Sequence, residues 1–174
     1  MAEQIKTLIS EEDLQNRIAE LGAQITKDYE GEEIYLVSVL KGGAFITVDL
    51  AKRINRPVFL EFITASSYRG TTSTGDVKVD DDKDIDIAGK NVIIVEDIVD
   101  TGRTLSVMLE IFKKKNPKSL KLCTLLDKPD RRVTPVSVDY CGFTIPDEFV
   151  VGFGLDYDQK YRNLPYIGVV EFVD

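Results

Sequence analysis

Residues 92–104 read Val-Ile-Ile-Val-Glu-Asp-Ile-Val-Asp-Thr-Gly-Arg-Thr. An apolar run suited to a buried strand delivers Glu96 and Asp97 side by side, and a third carboxylate, Asp100, follows three residues on. The turn Thr101-Gly102-Arg103-Thr104 then opens a helix, so free backbone N–H groups and two hydroxyls gather where a phosphate binds well. The carboxylates accept hydrogen bonds only, which suits sugar hydroxyls or a magnesium-bound substrate. A phosphate cradle beside a carboxylate pair points to a phosphorylated sugar. Taken singly, Asp100 or Thr101 reads as an ordinary strand-to-helix turn with acids favouring the helix dipole. The thirteen residues together carry the signal.

Such groups need elements to position them. Residues 10–29 carry Leu14, Ile18, Leu21 and Ile25 at helical spacing behind Ser10, a good N-cap. Strands are expected at Ile34–Leu40, Val58–Ala65, Asn91–Val95 and Leu120–Leu126, with helices at Ala44–Ile54 and Thr104–Lys115. Val136–Phe143, Phe149–Gly152 and Tyr166–Phe172 are further strand candidates. Short Val/Ile/Leu runs separated by helices imply an α/β fold, a mostly parallel sheet covered on both faces. Ligands of such sheets bind at the carboxyl ends of the strands, so the loops there are where chemistry belongs. Those loops carry Lys41-Gly42-Gly43, Ser66-Ser67-Tyr68 and Asp127-Lys128. Judged alone, each has a plain alternative: a turn at Gly42, loop residues at Ser67 and Tyr68, a solvated cation at Lys128, simple core at Phe149.

The composition narrows the chemistry. The 174 residues are 43% hydrophobic and contain no histidine, which removes Ser–His and Cys–His nucleophiles and imidazole as a base. Proton transfer falls to carboxylates, Lys, Tyr or water. A net charge of −8 argues against a nucleic-acid or anionic-membrane partner. No apolar run approaches the ~20 residues that cross a bilayer, and the opening Met1-Ala2-Glu3-Gln4 shows no basic-then-apolar signal, so a cytoplasmic protein is expected. Cys123 and Cys141 stand in apolar text and read as reduced core residues. The acidic run Asp80–Asp86 reads as a solvated loop.

The 92–104 segment resembles the phosphoribosyl pyrophosphate (PRPP) signature of the type I phosphoribosyltransferases. The other loops are similar to one branch, the 6-oxopurine (hypoxanthine-guanine) phosphoribosyltransferases. Leu40-Lys41-Gly42-Gly43 looks like its pyrophosphate loop; Ser66-Ser67-Tyr68 with Ser73–Val79 looks like its catalytic lid. Leu126-Asp127-Lys128 looks like the strand end that reads the purine, and Phe149–Tyr157 with Tyr161-Arg162-Asn163-Leu164 like its hood segment. The resemblance implies one domain over residues 1–174, a central mostly parallel sheet flanked by helices, with a small hood from about residues 1–10 and 130–174. It implies magnesium-dependent transfer of the phosphoribosyl group from PRPP to hypoxanthine or guanine. Lys41, Gly42 and Arg162 would receive pyrophosphate, and Thr101, Gly102, Arg103 and Thr104 the 5′-phosphate. Glu96 and Asp97 would address the ribose and one metal, Asp156 a second metal. Asp100 would help hold the 5′-phosphate and be the general acid/base, Lys128, Phe149, Val150 and Asp156 would bind the purine, and Ser67 and Tyr68 would close over it. A non-proline cis peptide at Leu40–Lys41 and a homodimer or homotetramer are also implied. Two alternatives stay open: a PRPP-binding regulator of the same fold that recognises nucleic acid, and a transferase preferring xanthine.

Overall fold

The computed structural model describes residues 2–67, 77–80 and 85–174. Strands β2 (Ile34–Leu40), β3 (Val58–Ser67), β5 (Asn91–Val99), β6 (Ser119–Asp127) and β7 (Tyr140–Thr144) run parallel. Strand β4 (Val77–Asp80) adds an antiparallel edge, and the order across the sheet is β4-β3-β2-β5-β6-β7.

Period-two alternation explains why the central strands are apolar throughout. In β2, Ile34 and Leu36 face helices α1 (Glu11–Asp28) and α2 (Ala44–Ala51), packing with Leu14, Ile18, Leu21, Ile46 and Leu50. Val37 and Val39 face the other way, toward Leu105, Met108 and Phe112 of α3 (Arg103–Lys113). Ser10 caps α1 as expected: its hydroxyl accepts the Asp13 N–H at 3.1 Å, and Glu11, Glu12 and Asp13 fill the first turn. A second, antiparallel sheet joins β1 (Ala2–Ile9), β9 (Ile167–Val173) and β8 (Val150–Val151) in the order β1-β9-β8.

Several boundaries depart from the sequence expectation. Helix α2 stops at Ala51 because the chain tightens: the N–H groups of Arg53 and Ile54 reach back only three residues, to Leu50 and Ala51. Ile54 is thereby turned into the core. The strand expected at Val136–Phe143 begins only at Tyr140, although Val136 and Val138 still pack on the core. Asp139 interrupts the ladder there, its carboxylate accepting the Leu122 N–H at 2.9 Å and its own N–H donating to the Leu122 carbonyl at 3.0 Å. The pattern assigned no strand to residues 2–9, which form β1. Of the acidic run at Asp80–Asp86, residues 81–84 lie outside the described residues.

Because the five central strands are parallel, the turns at Lys41, Asp100 and Lys128 open on the same edge of the sheet.

Candidate active site

The turn after β2 is built against the end of β5. The Leu40–Lys41 peptide is cis. Gly42 lies directly beneath Asp97, where any Cβ would overlap the carboxylate, and a Cβ on Gly43 would sit 2.7 Å from the Val39 carbonyl oxygen. Two consecutive glycines are therefore a steric requirement of this junction, beyond the making of a turn. Asp97 is fixed by accepting the Ile98 N–H at 2.7 Å, and Glu96 accepts the Asp97 N–H at 3.1 Å. Burial, and after it the charge of Asp97, pushes the Glu96 carboxyl well above the usual carboxylate range.

Beyond the pair, the chain turns into α3 around a cleft of about 210 Å³ lined by Glu96, Asp97, Asp100, Thr101, Gly102 and Thr104. Gly102 makes the turn with φ +84, and a Cβ there would strike the Thr134 carbonyl. The Thr101 hydroxyl accepts the Arg103 N–H at 3.4 Å, and its carbonyl accepts those of Val133 and Thr134 at 2.9 and 3.0 Å. The stretch after β6 thus braces the phosphate-type turn from behind.

That stretch carries Lys128. Only 8% of it is exposed, which sets aside the solvated-cation alternative. Its backbone N–H donates to Val99, and its ammonium lies 3.7 Å from Asp147. Asp147 also meets Arg131 at 3.7 Å, and Arg131 reaches the Asp100 carboxylate at 3.2 Å. Arg132 pairs with Asp127 and donates to the Asp100 carbonyl at 3.2 Å. A chain of alternating charges therefore links Lys128 to Asp100.

The segment between β8 and β9 supplies the opposite wall. Gly154 (φ +104) approaches so closely that a Cβ would overlap the Gly42 carbonyl. Arg162 donates to the Gly154 carbonyl at 2.6 Å and lies 3.5 Å from Asp156. Lys41 donates to the Gln159 side chain at 3.3 Å. Phe149 is 50% exposed, so it is no core residue, and its ring meets Tyr157 edge-on at 5.6 Å. Val150 is buried and pairs with Val169.

The structure thus brings together Gly42 with Asp97; Glu96, Asp97, Asp100, Thr101, Gly102 and Thr104 around one cleft; Lys128 with Asp100 through Arg131 and Asp147; and Lys41 with Asp156 and Arg162. Arg103 opens α3 with its side chain exposed, and Ser67 closes β3. Tyr68 and residues 73–76 lie outside the described residues. Sequence reasoning missed Arg131, Arg132, Asp147 and Gln159. The first two left a visible trace, since Arg131-Arg132 stands just past Lys128; Asp147 and Gln159 left none. Among the described residues no three acidic or Cys side chains converge on one point. The Glu96–Asp97 pair nevertheless suits magnesium, which takes one or two carboxylates and completes its shell from water and substrate phosphates.

Residues 7–158 match the phosphoribosyl transferase domain family. The chain is 53% identical over 175 residues to a hypoxanthine phosphoribosyltransferase of Buchnera aphidicola, covering 99% of each. It is 50% identical to that of Salmonella typhimurium, covering 100% of this chain and 99% of the relative. A crystal structure of a Bacillus anthracis hypoxanthine-guanine phosphoribosyltransferase superposes with a TM-score of 0.91 at 50% identity, over 98% of this chain and 100% of that one. The cleft at the end of β5, Gly42 packed beneath Asp97 and these likenesses agree: the chain belongs to the phosphoribosyltransferase family.

Proposed function

We propose that this protein is a purine-salvage enzyme that transfers the 5-phosphoribosyl group of PRPP to N9 of hypoxanthine or guanine, giving IMP or GMP and pyrophosphate. The observation that carries the choice of base is Lys128: a buried cation one alternating charge chain away from Asp100. An ammonium offers donors only, so it suits the carbonyl oxygen at purine C6 and leaves the amino group of adenine unmatched. A site built to hydrogen-bond a substrate group rejects an analogue lacking it by about 10⁴-fold.

In this reading the purine N9 forms a bond to C1′ as the bond from C1′ to pyrophosphate breaks, through a transition state with cationic character on the sugar. Catalysis is then mostly positioning and charge stabilisation. The Asp100–Thr104 turn, with Arg103 opening its helix, holds the 5′-phosphate, and Asp100 exchanges the proton at purine N7. Glu96 and Asp97 hold the ribose hydroxyls. Lys41, the Gly42 backbone and Arg162 receive the pyrophosphate. Phe149, standing exposed, stacks on the base, and the Val150 backbone meets its edge. Ser67 and Tyr68 close over the site and exclude water. Glu96 and Asp97 would hold one magnesium ion and Asp156 a second, and these would supply positive charge to the departing pyrophosphate.

The proposal extends to the whole molecule: one phosphoribosyltransferase domain over residues 1–174, with β1, β8 and β9 as its hood, in a cytoplasmic homodimer or homotetramer that binds neither nucleic acid nor membrane. No described helix is long and apolar enough to cross a membrane.

The test is product formation from PRPP and magnesium with hypoxanthine, guanine, xanthine, adenine and uracil in parallel, repeated with chelator. IMP and GMP are expected to form quickly, adenine to be essentially inert, and turnover to vanish with chelator. Adenine consumed as fast as hypoxanthine would overturn the role of Lys128, and undiminished turnover without divalent ions the role of the metal.

A further inference from the structure

Tyr157-Asp158-Gln159-Lys160 closes on itself by two reciprocal hydrogen bonds of 3.0 Å between Tyr157 and Lys160. Its two central residues both have positive φ, 52° at Asp158 and 65° at Gln159, which is a type I′ turn. The second central place favours glycine, because a side chain there crowds the backbone. A glutamine occupies it instead, and that side chain touches three groups around the site.

Its amide oxygen accepts from Lys41 Nζ at 3.3 Å and from Arg162 Nη2 at 3.3 Å. Its amide nitrogen donates to Asp156 Oδ2 at 3.3 Å, and its backbone N–H donates to the same oxygen at 2.9 Å. Lys41 comes from the turn after β2 and Arg162 from the segment before β9, so two cations distant in sequence converge on one neutral oxygen. A place where two cations point at one acceptor is a place shaped for an anionic oxygen. Asp156 lies 3.5 Å from Arg162 and would otherwise draw that guanidinium toward itself. The Gln159 amide donates to Asp156 and accepts from Arg162, so it bridges an acid and a base that lie 3.5 Å apart and divides the guanidinium between them.

We propose that Gln159 is a positioning residue for the pyrophosphate end of PRPP. Before substrate arrives, its amide oxygen stands in for a pyrophosphate oxygen and keeps Lys41 and Arg162 at the spacing the substrate requires. A charged oxygen then displaces it, since bonds to an ionised acceptor are roughly twice as strong as bonds to a neutral one. The inference rests on the transferase reading above, and assigns Gln159 no contact with the reacting atoms.

The experiment compares Gln159→Met, which keeps the length and loses the acceptor, with Gln159→Glu, which makes the acceptor ionised and removes the donor to Asp156. Steady-state kinetics give the constants for PRPP and hypoxanthine, and calorimetry gives the affinity for inorganic pyrophosphate in magnesium buffer. In Gln159→Met, the KM for PRPP and the Kd for pyrophosphate should each rise about tenfold. The KM for hypoxanthine should move less than twofold and kcat less than threefold, and in Gln159→Glu the Kd for pyrophosphate should also rise about tenfold, because an ionised acceptor holds Lys41 and Arg162 against displacement by the substrate. A merely structural role would move the hypoxanthine constant as much as the PRPP constant. Unchanged pyrophosphate affinity in Gln159→Met overturns the inference, as does unchanged pyrophosphate affinity in Gln159→Glu. If the Met variant fails to fold, the Glu variant decides: its loss of pyrophosphate affinity supports the role and its retained affinity overturns it. A wild-type protein that forms no nucleotide from PRPP and hypoxanthine overturns the transferase reading instead.

Discussion

At the scale of single residues, the three carboxylates of the β5 end differ in what holds them. Asp97 is fixed above Gly42, Asp100 is paired with Arg131, and Glu96 is half-buried beside a like charge. If Asp100 moves the purine N7 proton, Asp100→Asn should lower kcat with little change in the KM for PRPP, because a role in the transition state is lost. Help of that kind is worth about 10²–10⁴-fold, so a fall below tenfold in steady-state kcat would count against it. Glu96 makes a separate prediction. Its folded carboxyl titrates above the unfolded one, so across the window upward from 4.5 the folded state holds a proton that the unfolded state has released. Stability should therefore fall as pH rises through that window, by at most about 1.4 kcal/mol per pH unit for one proton. Glu96→Gln removes that slope. In chelated buffer, urea titrations should find the variant more stable than wild type near neutrality, the gap closing toward pH 4. A gap that widens on acidification would reverse the assignment.

At the scale of elements, the junction of β2 and β5 is the tightest point of the site. An alanine at position 42 must expel the Asp97 carboxylate and break its 2.7 Å bond to the Ile98 N–H. Gly42→Ala should lower stability by about 1–3 kcal/mol, as overpacking does, and raise the KM for PRPP at least tenfold. Denaturant midpoints and kinetics measure both, and a variant indistinguishable from wild type would mean that Asp97 has no fixed place. The parallel strands and the β5–α3 turn were legible because each is a local pattern: an apolar run, then a turn residue, then a helical repeat. Strand β1 was not legible. Its residues Glu3, Gln4, Lys6 and Thr7 carry little apolar alternation, and only pairing with a strand at the far end of the chain makes them extended. Arg131, Asp147 and Gln159 escaped for a similar reason. Their partners are reached by chain crossings that spacing does not encode, and a Gln at the second place of a type I′ turn runs against the local preference. Burial of Lys128 was likewise invisible, since a lone Lys in sequence reads as solvated.

At the scale of the whole molecule, one surface is left apolar. Leu60 and Phe62 of β3 stand in register with Leu36 and Ser38, hence on the α2 face of the sheet, and both are exposed. Phe45 and Val48 of α2 are exposed as well. Apolar exposure of this kind marks an interface, and in the proposed homo-oligomer a second copy of the chain would cover it. Light scattering of the wild type should give at least twice the 19.5 kDa chain mass, and Phe62→Glu should reduce it toward one chain. A monomeric wild type, or a Phe62→Glu variant that stays assembled, would place the interface elsewhere or remove it.

The pairing of β1 with β9 joins Ala2 to Val173 and ties together almost the full length of the chain. Closing so long a loop costs entropy that grows with its logarithm, and contacts of this range form late in folding. The wall bearing Phe149, Asp156 and Arg162 lies between β7 and β9 and shares a sheet with that long-range pair, whereas the parallel sheet is made of nearer neighbours. The expected order of events is phosphate turn first and base platform last. Amide protons of β1 and β9 should exchange with solvent sooner than those of β2 and β5, because the part that assembles last is the part that opens first.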